Sequence, residues 1–150
     1  MVATTERFRP YAAIYLVLRR DEKVLLLHRK NTGWMDDRWG LVSGHLDENE
    51  TATAGMMREA REEANLEFRS VDLNVVHLMH RRGTDREYLD IYFSADQWSG
   101  DLRIAEPDKC DALEWFSMEQ LPAQMVPGVR EALMDIQNNV FYSEFGWEAK

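Results

Sequence analysis

Apolar and polar positions along the chain alternate in runs of two kinds, and each kind predicts a different element. Residues 11–18, YAAIYLVL, are apolar almost without a break. Such a run is too continuous for a strand with one wet face, so it predicts a strand buried on both sides. After a polar turn at residues 19–23, residues 24–29 return as its partner in a first hairpin. Residues 71–80 and 89–95 flank the polar turn 81–86 and predict a second hairpin, and residues 113–116 predict a short last strand.

Between these hairpins the spacing becomes helical. At about 100° per residue, Thr53, Met57, Ala60 and Ala64 share one face and predict the side that meets the core. Pro127 opens a second amphipathic helix, PGVREALMDIQNN, with Val129, Leu133 and Ile136 on one side. The tail 140–150 carries Phe141, Tyr142, Phe145 and Trp147, and either caps the core or joins a contact with a second copy as a homodimer. Two hairpins, a central helix, a short strand and a closing helix predict an α/β fold with a mixed β-sheet between helices.

A hydrophobic share of 45% over 150 residues supports one domain with a proper core. A net charge of −9 argues against a surface for nucleic acid polymers or membranes, because phosphate-rich partners are repelled. The single cysteine, Cys110, excludes an internal disulfide, and the opening MVATTERFRP lacks the basic-then-apolar pattern of a signal peptide. These features predict a cytoplasmic chain without a membrane span.

The charge is densest where chemistry is most concentrated. Glu59, Glu62 and Glu63 sit at i, i+3 and i+4 and form one acidic stripe, with nothing else on that stripe to neutralise it. A divalent cation converts such repulsion into binding, and hard oxygen donors suit Mg²⁺ or Mn²⁺. His77 and His80, three apart in an extended run, point to opposite faces and cannot share an ion. The thiol of Cys110 has no activating neighbour in sequence.

The spacing around the stripe is specific. Gly44, five residues, Glu50, seven residues, then Arg58-Glu59-Ala60-x-Glu62-Glu63-x-x-Leu66 resembles the Nudix box, G-x5-E-x7-R-E-U-x-E-E-x-G-U with U apolar, at every position but one. Asn65 stands where the family has Gly, after the helix end, where a left-handed residue is wanted and Asn is the next most tolerant. The resemblance to Nudix hydrolases of the MutT type covers essentially the whole chain and implies the Nudix α/β/α sandwich. It implies Glu59 as general base or metal ligand, Glu62 and Glu63 as ligands, the Gly44 carbonyl completing the sphere, and Arg58 orienting the glutamates. Glu106 and Asp108, in the acidic loop before Trp115-Phe116, match the family's additional metal carboxylate. Arg29 and Lys30 leave the second strand as candidate phosphate contacts, and Trp34 in the loop 31–38 as a candidate stacking surface for a base.

The implied activity is hydrolysis of a nucleoside diphosphate linkage in a small-molecule nucleotide, with (deoxy)nucleoside triphosphates, including oxidised ones, as the leading substrates. ADP-ribose or a nucleotide sugar is the alternative substrate class. A Nudix-fold binding module without chemistry is the alternative of another kind, and retention of every box glutamate argues against it.

Overall fold

The computed structural model describes residues 5–148; the first four residues of the opening stretch and the last two of the tail lie outside the described residues. Eight strands and two α-helices occur in the order β1 (Tyr11–Arg20), β2 (Lys23–Arg29), β3 (Trp39–Gly40), β4 (Val42–His45), α1 (Ala52–Ala64), β5 (Asn74–Arg82), β6 (Glu87–Ala95), β7 (Cys110–Ser117), α2 (Pro127–Gln137) and β8 (Tyr142–Phe145).

The continuous apolar run of β1 has the predicted cause. Ile14, Leu16 and Leu18 pack toward α1, with Met56, Ala60 and Ala64, while Ala13, Tyr15 and Val17 pack toward α2, with Val129, Ala132 and Leu133. Strand β2 divides in the same way, Leu25 and Leu27 to one side and Val24 and Leu26 to the other. The sheet is therefore sandwiched between two helices, each burying one apolar stripe.

The first hairpin departs from expectation. β1 and β2 pair only at Arg19↔Val24 and Arg20↔Lys23, next to the turn, and then separate. β1 continues between β4, antiparallel, and β6, parallel. β2 instead takes β3 and β7 as antiparallel neighbours. Divergence of these strands opens a cleft between the two lobes of the sheet.

The second hairpin forms as expected, but β5 begins at Asn74 rather than at residue 71 and runs through Arg82. Ser70–Asp72 instead make a 3₁₀ turn in which the Asp72 carboxylate accepts hydrogen bonds from the backbone and side chain of Arg69. Arg81 and Arg82, read from sequence as turn residues, therefore belong to the strand. The tail forms β8, parallel to β5, with Phe145 packed against the core and Phe141, Tyr142 and Trp147 exposed.

Local chemistry places α1. The Thr51 hydroxyl accepts the Ala54 N–H at 3.1 Å as an N-cap. Asn65 adopts the left-handed conformation, φ 58° and ψ 34°, and Leu66 N–H donates to the Ala60 carbonyl, so Asn does here what Gly does in the box consensus. The buried face comprises Gly55, Met56, Ala60 and Ala64. Thr53 and Met57, expected on it, are only partly buried, because a side chain at Gly55 would come within 2.7 Å of Leu46 and 3.0 Å of Ile14.

Candidate active site

A cleft of about 620 Å³ runs between the diverging lobes, lined at one end by Gly44, Glu59, Glu62, Glu63 and Glu106. The helix brings the first three glutamates there directly. Glu106 arrives by backbone bonds: Arg103 N–H donates to the Ala64 carbonyl at 3.2 Å and Ala105 N–H to that of Glu63 at 3.1 Å. These bonds dock the acidic loop on the end of α1, which no local pattern announced.

The Glu59 carboxylate lies against the Cα of Gly44, in the space a side chain there would fill. Only glycine allows this approach. Arg58 faces Asp47, Glu50, Glu59 and Glu62, with its closest contacts to Glu50 at 2.7 Å and Glu59 at 2.8 Å. The stripe is thus not without a neutralising residue on its own helix, as expected from sequence. Arg58 reaches one residue forward to Glu59 and one turn forward to Glu62.

Electrostatics separates the carboxylates. Hydrogen bonds from Arg58 and from Asp47 N–H pull Glu50 down to a pKa of about 2. Burial pushes Glu59 up, against Arg58, with Glu62 and Glu106 adding to the rise. Glu63 is pushed well up by burial and by the charges of Glu59 and Glu106, with the Ser43 N–H opposing at 3.2 Å. Glu63 has no ion-pair partner among the described residues. It is a buried carboxylate in search of a cation.

Among the described residues, no three carboxylate, histidine or cysteine groups stand together at metal-ligand spacing. Arg58 holds Glu59 and Glu62, and the Ser43 amide holds Glu63, so the side chains are drawn apart by the partners they have.

Across the cleft stand Arg29, Trp34, Arg81, Arg86, Tyr88 and Lys109. Arg29 donates from Nε to the Trp34 carbonyl and from Nη2 to the Thr32 hydroxyl, both at 3.0 Å, and its guanidinium lies 5.0 Å from the Trp34 ring. Burial lowers its pKa while Glu63 raises it. Asp36, accepting from Thr32 and Gly33, organises this loop and is itself held low by the same bonds.

Of the residues singled out from sequence, Gly44, Glu59, Glu62, Glu63, Glu106, Arg29 and Trp34 line the cleft. Lys30 and Asp108 are not among the lining residues, and Lys109 is. Lys30 lies one residue past the end of β2, whose last residue, Arg29, lines the cleft. His28 bonds Asp111 at 2.7 Å and His77 is buried against Val140 and Ser143, which gives both structural partners. Cys110 is buried in β7, and burial raises its pKa. Sequence reading passed over Arg81, Asp90 and Tyr15. Its one available signal was a lone Asp within the apolar run of β6.

The NUDIX domain family model matches residues 7–136. The chain belongs to the Nudix hydrolase family and is MutT-like within it. It is 33% identical over 110 residues to the oxidized purine nucleoside triphosphate hydrolase of Mus musculus, covering 71% of this chain and 67% of that protein. It is 28% identical over 120 residues to the NAD-capped RNA hydrolase NudC of Photorhabdus laumondii, covering 78% of this chain; there it spans only 44% of the relative's length. Among solved structures, the MutT NUDIX hydrolase from Burkholderia pseudomallei superposes with a TM-score of 0.78 at 26% identity, over 85% of this chain and 98% of that one.

Proposed function

We propose that the protein is a Mg²⁺- or Mn²⁺-dependent pyrophosphohydrolase of (deoxy)nucleoside triphosphates, oxidised nucleotides included, acting in the cytoplasm. The observation that carries this reading is the set of four carboxylates, Glu59, Glu62, Glu63 and Glu106, at one end of a cleft whose other wall is cationic. Relatives of 28–33% identity, an NAD-capped RNA hydrolase and the mouse oxidized purine nucleoside triphosphate hydrolase, support it.

The residues present fit a divalent ion. Their donors are all hard oxygens, and Glu63 carries a buried charge that burial alone would neutralise. Glu59, Glu62, Glu63 and Glu106, with the Gly44 carbonyl, would hold it. When bound, such an ion offsets charge on the phosphate oxygens and lowers the pKa of a coordinated water. The chain supplies the rest. Glu59, with its carboxylate partly buried and its pKa raised, is the candidate to accept the proton of the attacking water. Arg58 orients it at 2.8 Å, and Arg29 and Lys109 face the polyphosphate from across the cleft.

The test is phosphate or pyrophosphate release from nucleoside triphosphates, oxidised nucleotides, ADP-ribose, dinucleoside polyphosphates and nucleotide sugars, with Mg²⁺ or Mn²⁺. Metal-dependent turnover of the triphosphates, abolished in Glu63→Gln, is the expected result. Binding without turnover of any compound would instead favour a non-catalytic module.

A further inference from the structure

The end of the cleft away from the glutamates holds a charged pair that the proposed chemistry does not use. Arg81 lies on β5 with its side chain 11% exposed, diagonally across from Asp90 on β6, whose side chain is fully buried; its register partner is Tyr88. The pairing is a fork: Nε donates to Asp90 Oδ2 at 2.5 Å and Nη2 to Oδ1 at 3.2 Å, while Nη2 also reaches the Tyr15 hydroxyl at 3.4 Å. A guanidinium has five N–H donors. Three are directed to Asp90 and Tyr15, and the two on Nη1 have no partner among the described residues.

Nη1 is also not sealed from solvent; among the described residues the buried side-chain polar atom without a hydrogen-bond partner is Asp135 Oδ2, elsewhere. Arg81 lines the cleft, so its free edge opens into it. The guanidinium lies over two aromatic rings, its central carbon 4.1 Å from the Tyr88 centroid and 5.6 Å from that of Trp34. Across the sheet, β4, β1, β6 and β5 follow in order from the Gly44 end to Arg81. Three strand spacings across the sheet and three residues along it, since the register line of Gly44 meets β5 at Leu78, separate Gly44 from Arg81 by roughly 17 Å. That matches a nucleotide laid lengthwise, phosphates at α1 and base at β5.

From this we infer that Arg81 is a specificity-determining residue that reads the base, its Nη1 edge donating to the carbonyl oxygen of a keto heterocycle held against Trp34 and Tyr88. This rests on the nucleotide reading of the same cleft. A keto base is favoured over a phosphate because Asp90 already balances the Arg81 charge, which leaves a donor edge with little net attraction for a dianion. Flat rings beside it suit a heterocycle. At position 6 a keto purine presents an acceptor to these donors, whereas an amino purine presents a further donor there, so the donor aimed at that position is left unpaired. Asp90 and Tyr15 are positioning residues that lock the fork.

The experiment is calorimetric binding of IMP and AMP, which differ in this 6-substituent, beside Mg²⁺-dependent turnover of ITP and ATP. IMP is expected to bind roughly ten- to a hundred-fold more tightly than AMP, the range for leaving a buried donor unpaired. Arg81→Lys keeps a cation against Asp90 but loses the planar edge, and should bring the ratio near one, with the change in KM rather than kcat. Equal binding of IMP and AMP by the wild type overturns the inference whether or not the protein hydrolyses anything. So does an unchanged ratio in a folded Arg81→Lys. Turnover without keto preference sinks this inference and leaves the hydrolase reading standing; keto preference in binding without turnover does the reverse. Failure of both monophosphates to bind counts against both.

Discussion

At the α1 end of the cleft, one guanidinium, Arg58, faces four carboxylates, and Glu63 has no ion-pair partner among the described residues; at the β5–β6 end, one guanidinium faces one carboxylate in a two-bond fork. The first end carries surplus negative charge, which a ligand can turn into binding energy. The second is electrically balanced and leaves only hydrogen-bond donors over. Surplus charge suits an ion and the phosphates around it, whereas a balanced pair suits a neutral ligand whose shape and edge are recognised. The contrast also separates stability from function. The α1 end works against folding, and the β5 end holds the sheet together.

Changing each end should therefore move stability in opposite directions. Glu63→Gln is expected to lower turnover by orders of magnitude, because it removes a charged donor from the set that would hold the divalent ion. With divalent ions chelated, the same variant should melt above the wild type at neutral pH. The sign follows from the raised folded pKa of Glu63: its contribution is fully present below the unfolded value near 4.5 and is lost as pH rises through the folded one. Mg²⁺ should raise the melting temperature of the wild type and hardly move that of the variant. A wild type more stable than Glu63→Gln in chelator would remove the surplus-charge half of the comparison.

Arg81→Met leaves the Asp90 carboxylate buried alone, and should cost about 3–5 kcal/mol, read as a lowered denaturant midpoint. Replacing both partners, Arg81→Met with Asp90→Leu, should restore most of it. A smaller effect belongs to Glu50. Its pKa of about 2 lies below the ordinary 4.5, so its stabilisation is present above pH 4.5 and lost as pH falls toward 2. Glu50→Gln should flatten that acid limb of a melting-temperature profile. Smallest of all is Asn65→Gly, expected within about 0.5 kcal/mol by chemical denaturation: relief of left-handed strain offsets loss of the 2.9 Å bond from Asn65 Nδ2 to the Asp101 carbonyl.

The α1 end was legible in the chain because its logic is local. Thr51, Glu50, Arg58 and the three glutamates lie within one helix and the turn before it, and helical spacing alone puts them on adjacent faces. Asn65 likewise announced its left-handed conformation by residue type. Strand β1 was legible for a related reason, since burial on both faces writes a continuous apolar run. The start of β5 was misread because Val71 and Leu73 continue the apolar pattern, while Asp72 accepts from Arg69 and closes a 3₁₀ turn there instead.

By itself, then, the sequence determined the presence of both helices and of the strands of the two hairpins, where α1 ends, and that three glutamates and an arginine crowd onto adjacent faces of α1. Only the tertiary structure decided that β1 and β2 part company after two residue pairs and so open a cleft, that backbone bonds to Glu63 and Ala64 bring Glu106 beside α1, and that Arg81 turns inward to Asp90. The physical reason is separation along the chain. Periodicity and capping act over a few residues, whereas these contacts join segments whose adjacency is settled by burying the whole sheet between two helices.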